Sequence, residues 1–207
     1  MTGSRATALH AQSYSGRMPG GQLSFFSAAA RAARPDDVEG LLCGPGQIVR
    51  QGAGARVSVV VAPDRAVPLA AALLAAGLTA DEAPAPGGQI SVRTAFEAAL
   101  VEVAQVWSGA GGKRAPGSLA LDGQRLRLWA VAAGEHQPSG YRLALGQHDD
   151  EVWSAVGAAL AAAGLPAVFV GPRADGPAYA GDPVRRLDRL RELVGDRPEG
   201  VDVSGWP

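Results

Sequence analysis

The chain has 207 residues, of which 47% are apolar and 19% are charged, a composition typical of a globular protein and not of a disordered one. The formal net charge of −1 lacks the basic excess of a dedicated nucleic-acid-binding protein, so any DNA contact needs a local patch of arginines or a second anchor. Cys43 is the only cysteine, which excludes a disulfide within the chain and a cysteine-based zinc site.

The first half of the chain is predicted to contain five elements, after an N-terminal stretch of Ser, Gly and Gln without an apolar period. They are a helix, a strand, a helix, a strand and a helix, at residues 35–43, 56–61, 67–76, 89–93 and 96–107. The first helix stops at Gly44-Pro45-Gly46, and the second ends at Gly77. We predict a turn at 51–54 and a loop at 84–88.

The second half repeats this order of elements. A helix, a strand, a helix, a strand pair and a closing helix are predicted at 126–133, 141–145, 149–163, 167–179 and 184–194. The landmarks Gly46 and Gly77 recur as Gly134 and Gly164, at an offset of about 87 residues. We therefore divide the chain into a mobile tail (1–34), a first half (35–109), a flexible linker with Lys113 (110–117), a second half (118–195) and a tail (196–207).

The stretch from Val38 to Gly46 resembles the LAGLIDADG helix motif, with its glycines, apolar pair and small residue in place. The second copy runs from Leu126 to Gly134, where Leu128 stands at an expected glycine. The pattern downstream of Tyr141 resembles the amino-terminal LAGLIDADG domain of WhiA-type bacterial transcription regulators. The resemblance implies an α/β (α+β) fold, a tandem pseudo-two-fold repeat of mixed or antiparallel sheets with helices on one face. The alternative is an unrelated α/β domain in which Gly44-Pro45-Gly46 only stops a helix.

In the family that the chain resembles, two motif helices pack side by side at the centre, so small residues must face each other. Gly40 and Gly44 lie one turn apart on one face, as such an approach requires. The residues expected at this helix interface are Gly40, Gly44, Ala132 and Ala133.

The nucleases of this family hold divalent metal with an acidic residue near the end of each motif helix. The matching positions here are Pro45 and Ala133, whose side chains offer no oxygen ligand to a hard cation. Glu39 and Glu135 lie nearby but at the wrong offsets. We therefore expect a protein that is not an enzyme, with no metal and no cofactor.

The polar faces of the predicted strands indicate a candidate DNA-binding surface, because the sheets of this fold form a saddle over the duplex. Arg56 and Ser58 alternate with apolar residues in one strand, and Arg93 does so in another. The candidate DNA-binding residues are Arg50, Arg56, Ser58, Arg93, Arg142 and Arg173. The alternative is an ordinary solvated sheet face. Because the net charge is near zero, this alternative explains the pattern about as well as a DNA-binding face does.

A short segment near the amino terminus resembles the motif with which bacterial replication and repair proteins dock on the sliding clamp. It consists of Gln22, Leu23, Ser24, Phe25 and Phe26. The apolar side chains would fill pockets on the clamp, and the Gln22 amide would fix the register by hydrogen bonds. The alternative is that Phe25 and Phe26 pack onto the domain as an apolar staple.

These observations leave three hypotheses of function. The first is a non-catalytic accessory protein of DNA replication or repair, which binds double-stranded DNA and docks on the sliding clamp. The second is a WhiA-like transcription regulator without the helix-turn-helix domain, and the third is a protein-interaction scaffold. No signal-peptide core or membrane-length apolar run is present, so we expect a cytoplasmic protein without membrane partners, and the tandem repeat favours a monomer.

Overall fold

The computed structural model describes residues 27–138, 140–171, 176–181 and 185–207. The clamp-like segment at 22–26 and Arg173 lie outside the described residues. Within these ranges, no helix is both long and apolar enough to cross a membrane.

Two four-stranded antiparallel sheets have the same strand order. The first has the order β1-β2-β4-β3 and contains β1 (Gln47–Gln51), β2 (Gly54–Val61), β3 (Ala80–Pro84) and β4 (Ile90–Thr94). A short hairpin of β5 (Ser108–Gly109) and β6 (Gly112–Lys113) follows. The second sheet has the order β7-β8-β10-β9 and contains β7 (Gly134–Gln137), β8 (Gly140–Ala144), β9 (Val168–Val170) and β10 (Ala178–Gly181). The equal order confirms the predicted tandem repeat.

Six α-helices accompany the sheets within the described residues. They are α1 (Glu39–Cys43), α2 (Pro63–Ala75), α3 (Val101–Trp107), α4 (Gly123–Ala133), α5 (Asp150–Ala162) and α6 (Arg185–Val194). The two motif helices, α1 and α4, pack on each other at the centre, and each leads into the first strand of its sheet. Their fully buried Leu41, Leu42, Leu126 and Trp129 belong to one core that both halves share.

The repeated Ala-Gly-Leu sequence ends a helix in the same way in each half. Gly77 and Gly164 have φ angles of +81° and +80°, a conformation that glycine adopts without steric cost. The amide of Leu78 donates to the carbonyl of Leu73 at 2.9 Å, and Leu165 donates to Leu160 at the same distance. Both bonds have the spacing of a Schellman motif, which explains why the sequence keeps these residues in register.

Five strands, one buried residue and one aromatic residue depart from the sequence-based prediction. The strands β1, β3, β5, β6 and β7 were not predicted, and β3 extends into the first residue of the expected loop. The segment expected to be a flexible linker contains β6 and a buried Lys113, because polar groups from both halves surround that ammonium. Phe96 lies outside the helix predicted to start there, because the next residue, Glu97, is held extended by two backbone hydrogen bonds with Ala55.

Candidate nucleic-acid interface and the motif-helix ends

The motif helices approach so closely that a side chain has no room at Gly40 of α1 and little room at Gly44, the residue that follows this helix. A Cβ atom on Gly40 would lie 1.9 Å from the carbonyl oxygen of Arg125, and one on Gly44 would lie 2.6 Å from the indole nitrogen of Trp129. The predicted partners Ala132 and Ala133 are not the residues nearest to these glycines. The five-residue α1 meets the first two turns of the longer α4, which places the contact closer to the amino terminus of α4 than expected.

The C-terminal end of α1 is held by a buried ammonium group. The Nζ atom of Lys113 donates to the carbonyls of Gly44 and Gly46, each at 2.8 Å. It also lies 2.7 Å from the Oδ2 atom of Asp149, and the side chains of this ion pair are 1% and 9% exposed. Burial lowers the pKa of Lys113, and the hydrogen bond that its ammonium donates to Asp149 opposes that shift.

The C-terminal end of α4 is held in an analogous way by a guanidinium group. Arg65, on α2 in the first half, donates to the carbonyls of Ala130 at 3.3 Å and of Val131 at 3.0 Å, and also to Gly134. A cation at a helix C-terminus interacts favourably with the partial negative charge there. Each motif helix therefore ends against a cation, and both cations join the two halves of the chain.

The two carboxylates closest in sequence to the motif ends are engaged elsewhere. Glu39 lies 2.8 Å from Arg125 and accepts a hydrogen bond of 3.1 Å from the indole of Trp107. Glu135 lies 3.5 Å from Arg142 in the second sheet. Within the described ranges, no three His, Cys, Asp or Glu side chains are grouped so that they could hold a metal ion. At the motif ends, a metal ion would find only backbone carbonyl groups as ligands. Lys113 and Arg65 already donate hydrogen bonds to these carbonyls.

The outer face of the first sheet, which is the face turned away from the helices, carries three of the six predicted DNA-binding residues. Arg56, Ser58 and Arg93 are each partly exposed, while the intervening valines of β2 are buried. The register pairs Ser58 with Arg93, so these side chains are neighbours on one face. Arg93 forms an ion pair of 2.8 Å with Asp81 of β3. The outer face therefore combines hydroxyl and guanidinium groups with one acid.

The register corrects the prediction for Arg50. This residue pairs with Ala55, which is buried against the helices, so its side chain belongs to the helix-facing side and not to the outer face. It is exposed because it stands near the end of β1, next to the turn at Gly52.

The outer face of the second sheet is less cationic than the prediction implies. Arg142 is only 9% exposed, and it contacts Glu135 at 3.5 Å and the carbonyl of Gly176 at 3.0 Å. Its neighbour across the sheet is Ala180, which in turn pairs with Val168 on β9. Among the described residues, the guanidinium groups of the outer face are therefore concentrated on the first sheet.

The sequence did not predict the roles of Lys113 and Arg65 at the motif ends, and only Lys113 stands out in the sequence. Lys113 is the only lysine among 19 lysines and arginines, and the compact ammonium fits between two carbonyls and a carboxylate. Its glycine-rich surroundings instead favoured a linker. Arg65 lies in a helix start that looks ordinary in sequence, and its contact with α4 depends on the tertiary arrangement alone.

No protein-family model matches the sequence, and no curated protein is similar enough to match it. Among solved structures, one similar to this chain is that of the homing endonuclease I-WcaI, a LAGLIDADG protein, bound to its DNA recognition sequence. The two chains are 12% identical, with a TM-score of 0.56 over 86% of this chain and 89% of that chain. At this identity the likeness concerns the fold, and the chain has a LAGLIDADG-like fold.

Proposed function

We propose that this protein is a non-catalytic, DNA-binding accessory protein of DNA replication or repair, which docks on the sliding clamp. One observation supports both DNA binding and the lack of catalysis. In this LAGLIDADG-like fold the outer sheet face is polar and bears arginines, and a cation binds the end of each motif helix. The first feature suits a duplex, and the second opposes the metal binding that cleavage needs.

The support for DNA binding comes from the outer face of the first sheet. Arg56 and Arg93 stand on neighbouring strands and flank Ser58, so donors for phosphate oxygens or base edges lie side by side. The homing endonuclease of similar fold was solved with its DNA recognition sequence. The small number of cations predicts weak intrinsic affinity, with a clear dependence on salt.

Binding of a fluorescent random-sequence duplex, followed by anisotropy at several salt concentrations, tests this part of the proposal. We expect log K to fall linearly with log salt, and the slope to shrink by about 1–2 in the double variant Arg56→Gln with Arg93→Gln. Arg191→Gln is the matched control, because Arg191 is exposed on α6 in the helix layer. Binding that is absent, or equally weakened by the control, would contradict a DNA-binding outer face.

The support for a non-catalytic role comes from the motif-helix ends. Pro45 and Ala133 supply no ligand oxygen, and the nearby carbonyls accept hydrogen bonds from Lys113 and Arg65. A divalent cation would have to displace these groups against charge repulsion. We expect supercoiled plasmid to stay intact with the pure protein in Mg²⁺ or Mn²⁺. Metal-dependent nicking that co-purifies with the protein through several columns would overturn this part.

The proposed clamp docking rests on the sequence of residues 22–26. The described residues begin directly after this segment with Ser27, which is buried against the folded core. Tethering to the clamp would raise the effective concentration of the protein at DNA and compensate for weak intrinsic binding.

A labelled peptide of residues 16–30, titrated with the sliding clamp of the same organism, tests the docking. We expect saturable binding that is lost when Gln22 and Phe26 are both replaced by Ala, while Ser24→Ala retains it. The same substitutions in the full chain should abolish its co-purification with the clamp. An intact protein that fails to bind the clamp would remove docking from the proposal and leave DNA binding untouched.

A further inference from the structure

The outer edges of the two sheets are protected unequally. The strands β3 and β9 occupy equivalent positions, since each is the last strand of the same order in its sheet. β3 carries Asp81, Glu82 and Pro84, residue types that block the addition of another strand at an edge. β9 consists of Val168, Phe169 and Val170, which are 67%, 40% and 37% exposed. The second edge therefore lacks the protection that the first one has.

Neither β9 nor the strand beside it carries a charged side chain. Within the described part of the chain, β9 pairs only with β10, whose residues are Ala178, Tyr179, Ala180 and Gly181. On the helix side, the Phe169 ring lies 5.1 Å from that of Trp153 and 5.8 Å from that of Tyr179. Among the described residues, the outermost two strands of this sheet thus present an apolar surface whose edge pairs with no further strand, where the first sheet presents Arg93 and Asp81.

We propose that β9 is the site at which a second copy of this chain adds, with the two β9 strands antiparallel and centred on Phe169. In this register Val168 faces Val170 of the second copy on the outer face, and the two Phe169 rings meet on the helix side. The pairing joins two four-stranded sheets into one continuous sheet. It stands independently of the proposed DNA binding and of clamp docking.

The absence of charged side chains on β9 fits a second copy of this chain as the partner. An uncharged strand is complementary to itself, because an antiparallel pair of β9 strands brings no like charges together. The same pairing at β3 would place Asp81 and Glu82 opposite carboxylates of the second copy. A three-residue strand provides few inter-strand bonds, so we expect a weak dimer with a Kd on the order of 100 µM.

Sedimentation velocity of the full chain from about 10 µM to about 1 mM, roughly tenfold below to tenfold above the expected Kd, tests the proposal. We expect a concentration-dependent monomer–dimer equilibrium that Val168→Lys weakens at least tenfold. Val60→Lys is the matched control, because Val60 is 43% exposed on the same kind of outer face but lies on the interior strand β2. A monomer at every concentration, or a dimer that Val168→Lys does not weaken, would overturn the proposal.

A disulfide experiment tests the register and does not depend on the affinity alone. Cys43 is buried, so a cysteine introduced on β9 is the accessible one among the described residues. Mixed Val168→Cys and Val170→Cys proteins should form a cross-linked dimer on mild oxidation, well above the level of either protein alone. Equal cross-linking in the mixture and in the separate proteins, or none in any of them, would contradict the antiparallel register.

Discussion

Replacing Gly40 by alanine perturbs the centre of the fold with a single methyl group. The added Cβ would lie 1.9 Å from the carbonyl oxygen of Arg125, 2.6 Å from its carbonyl carbon and 3.0 Å from its Cα atom. All three are backbone atoms of α4, so no side chain can rotate away. The two motif helices must instead separate by roughly 1 Å, a gap that forfeits a quarter to a half of each contact energy across it.

The expected loss of stability follows from two opposing effects. Alanine is favoured over glycine inside a helix by about 1 kcal/mol, which alone would stabilise the variant. Overpacking of a close interface costs about 3 kcal/mol or more at the upper end of its usual range. We therefore expect a net loss of about 2–4 kcal/mol, which for a chain of this size lowers the Tm by about 5–10 °C.

Urea unfolding followed by circular dichroism measures this loss directly, with Gly117→Ala as the matched control. A Cβ at Gly117 meets no atom within 4 Å, and the residue is exposed, so that substitution should change stability by less than about 0.5 kcal/mol. Gly44→Ala should fall between the two, because its Cβ would lie 2.6 Å from a side-chain atom, the indole nitrogen of Trp129, and not from backbone at 1.9 Å as at Gly40. A Gly40→Ala variant as stable as Gly117→Ala would refute the close packing of α1 on α4.

Further predictions follow from three buried groups. Lys113→Met leaves the Asp149 carboxylate buried without its cation, so chemical denaturation should show a loss of about 3–5 kcal/mol, and adding Asp149→Asn should restore part of it. Burial raises the pKa of the Cys43 thiol, so a colorimetric thiol reagent should react with it only after unfolding. This thiol stays neutral in the folded state, whereas in the unfolded chain it ionises above about pH 8.5. The stability that the neutral thiol contributes is therefore present below that pH and is lost as the pH rises. Thermal melts between pH 7 and 10 should therefore show a shallower alkaline decline in Cys43→Ala than in the wild type. Tyr141→Phe removes the hydrogen bond of 2.8 Å to the Gly205 carbonyl and should cost about 1–2 kcal/mol in the same unfolding assay.

Local signals in the sequence predicted those elements whose cause is itself local. The alternation of valines with polar residues predicted β2, and the glycines at the ends of α2 and α5 predicted where those helices stop. β3 escaped prediction because Asp81, Glu82 and Pro84 are poor strand formers, and pairing with β4 holds the segment extended. Tertiary contacts overrode propensity at that edge.

Long-range geometry determined the parts of the candidate site that the sequence did not predict. Whether Arg50 reaches the outer face depends on the register between β1 and β2, which the turn at Gly52 sets. Lys113 is buried because Asp149 from the second half and two carbonyls of the first half meet around it. No period or motif in a single sequence encodes such a meeting of distant segments.

Site-specific photocross-linking to duplex DNA tests most directly whether the outer face of the first sheet binds DNA. Since Cys43 is buried, a photoreactive maleimide can be attached to Ser58→Cys on the outer face or to Ser154→Cys on α5, where the side chain is exposed in the helix layer. We predict that the Ser58→Cys protein cross-links to the duplex at low salt, that added salt abolishes the product, and that Ser154→Cys yields little of it. Cross-linking from Ser154→Cys equal to or above that from Ser58→Cys would contradict the account.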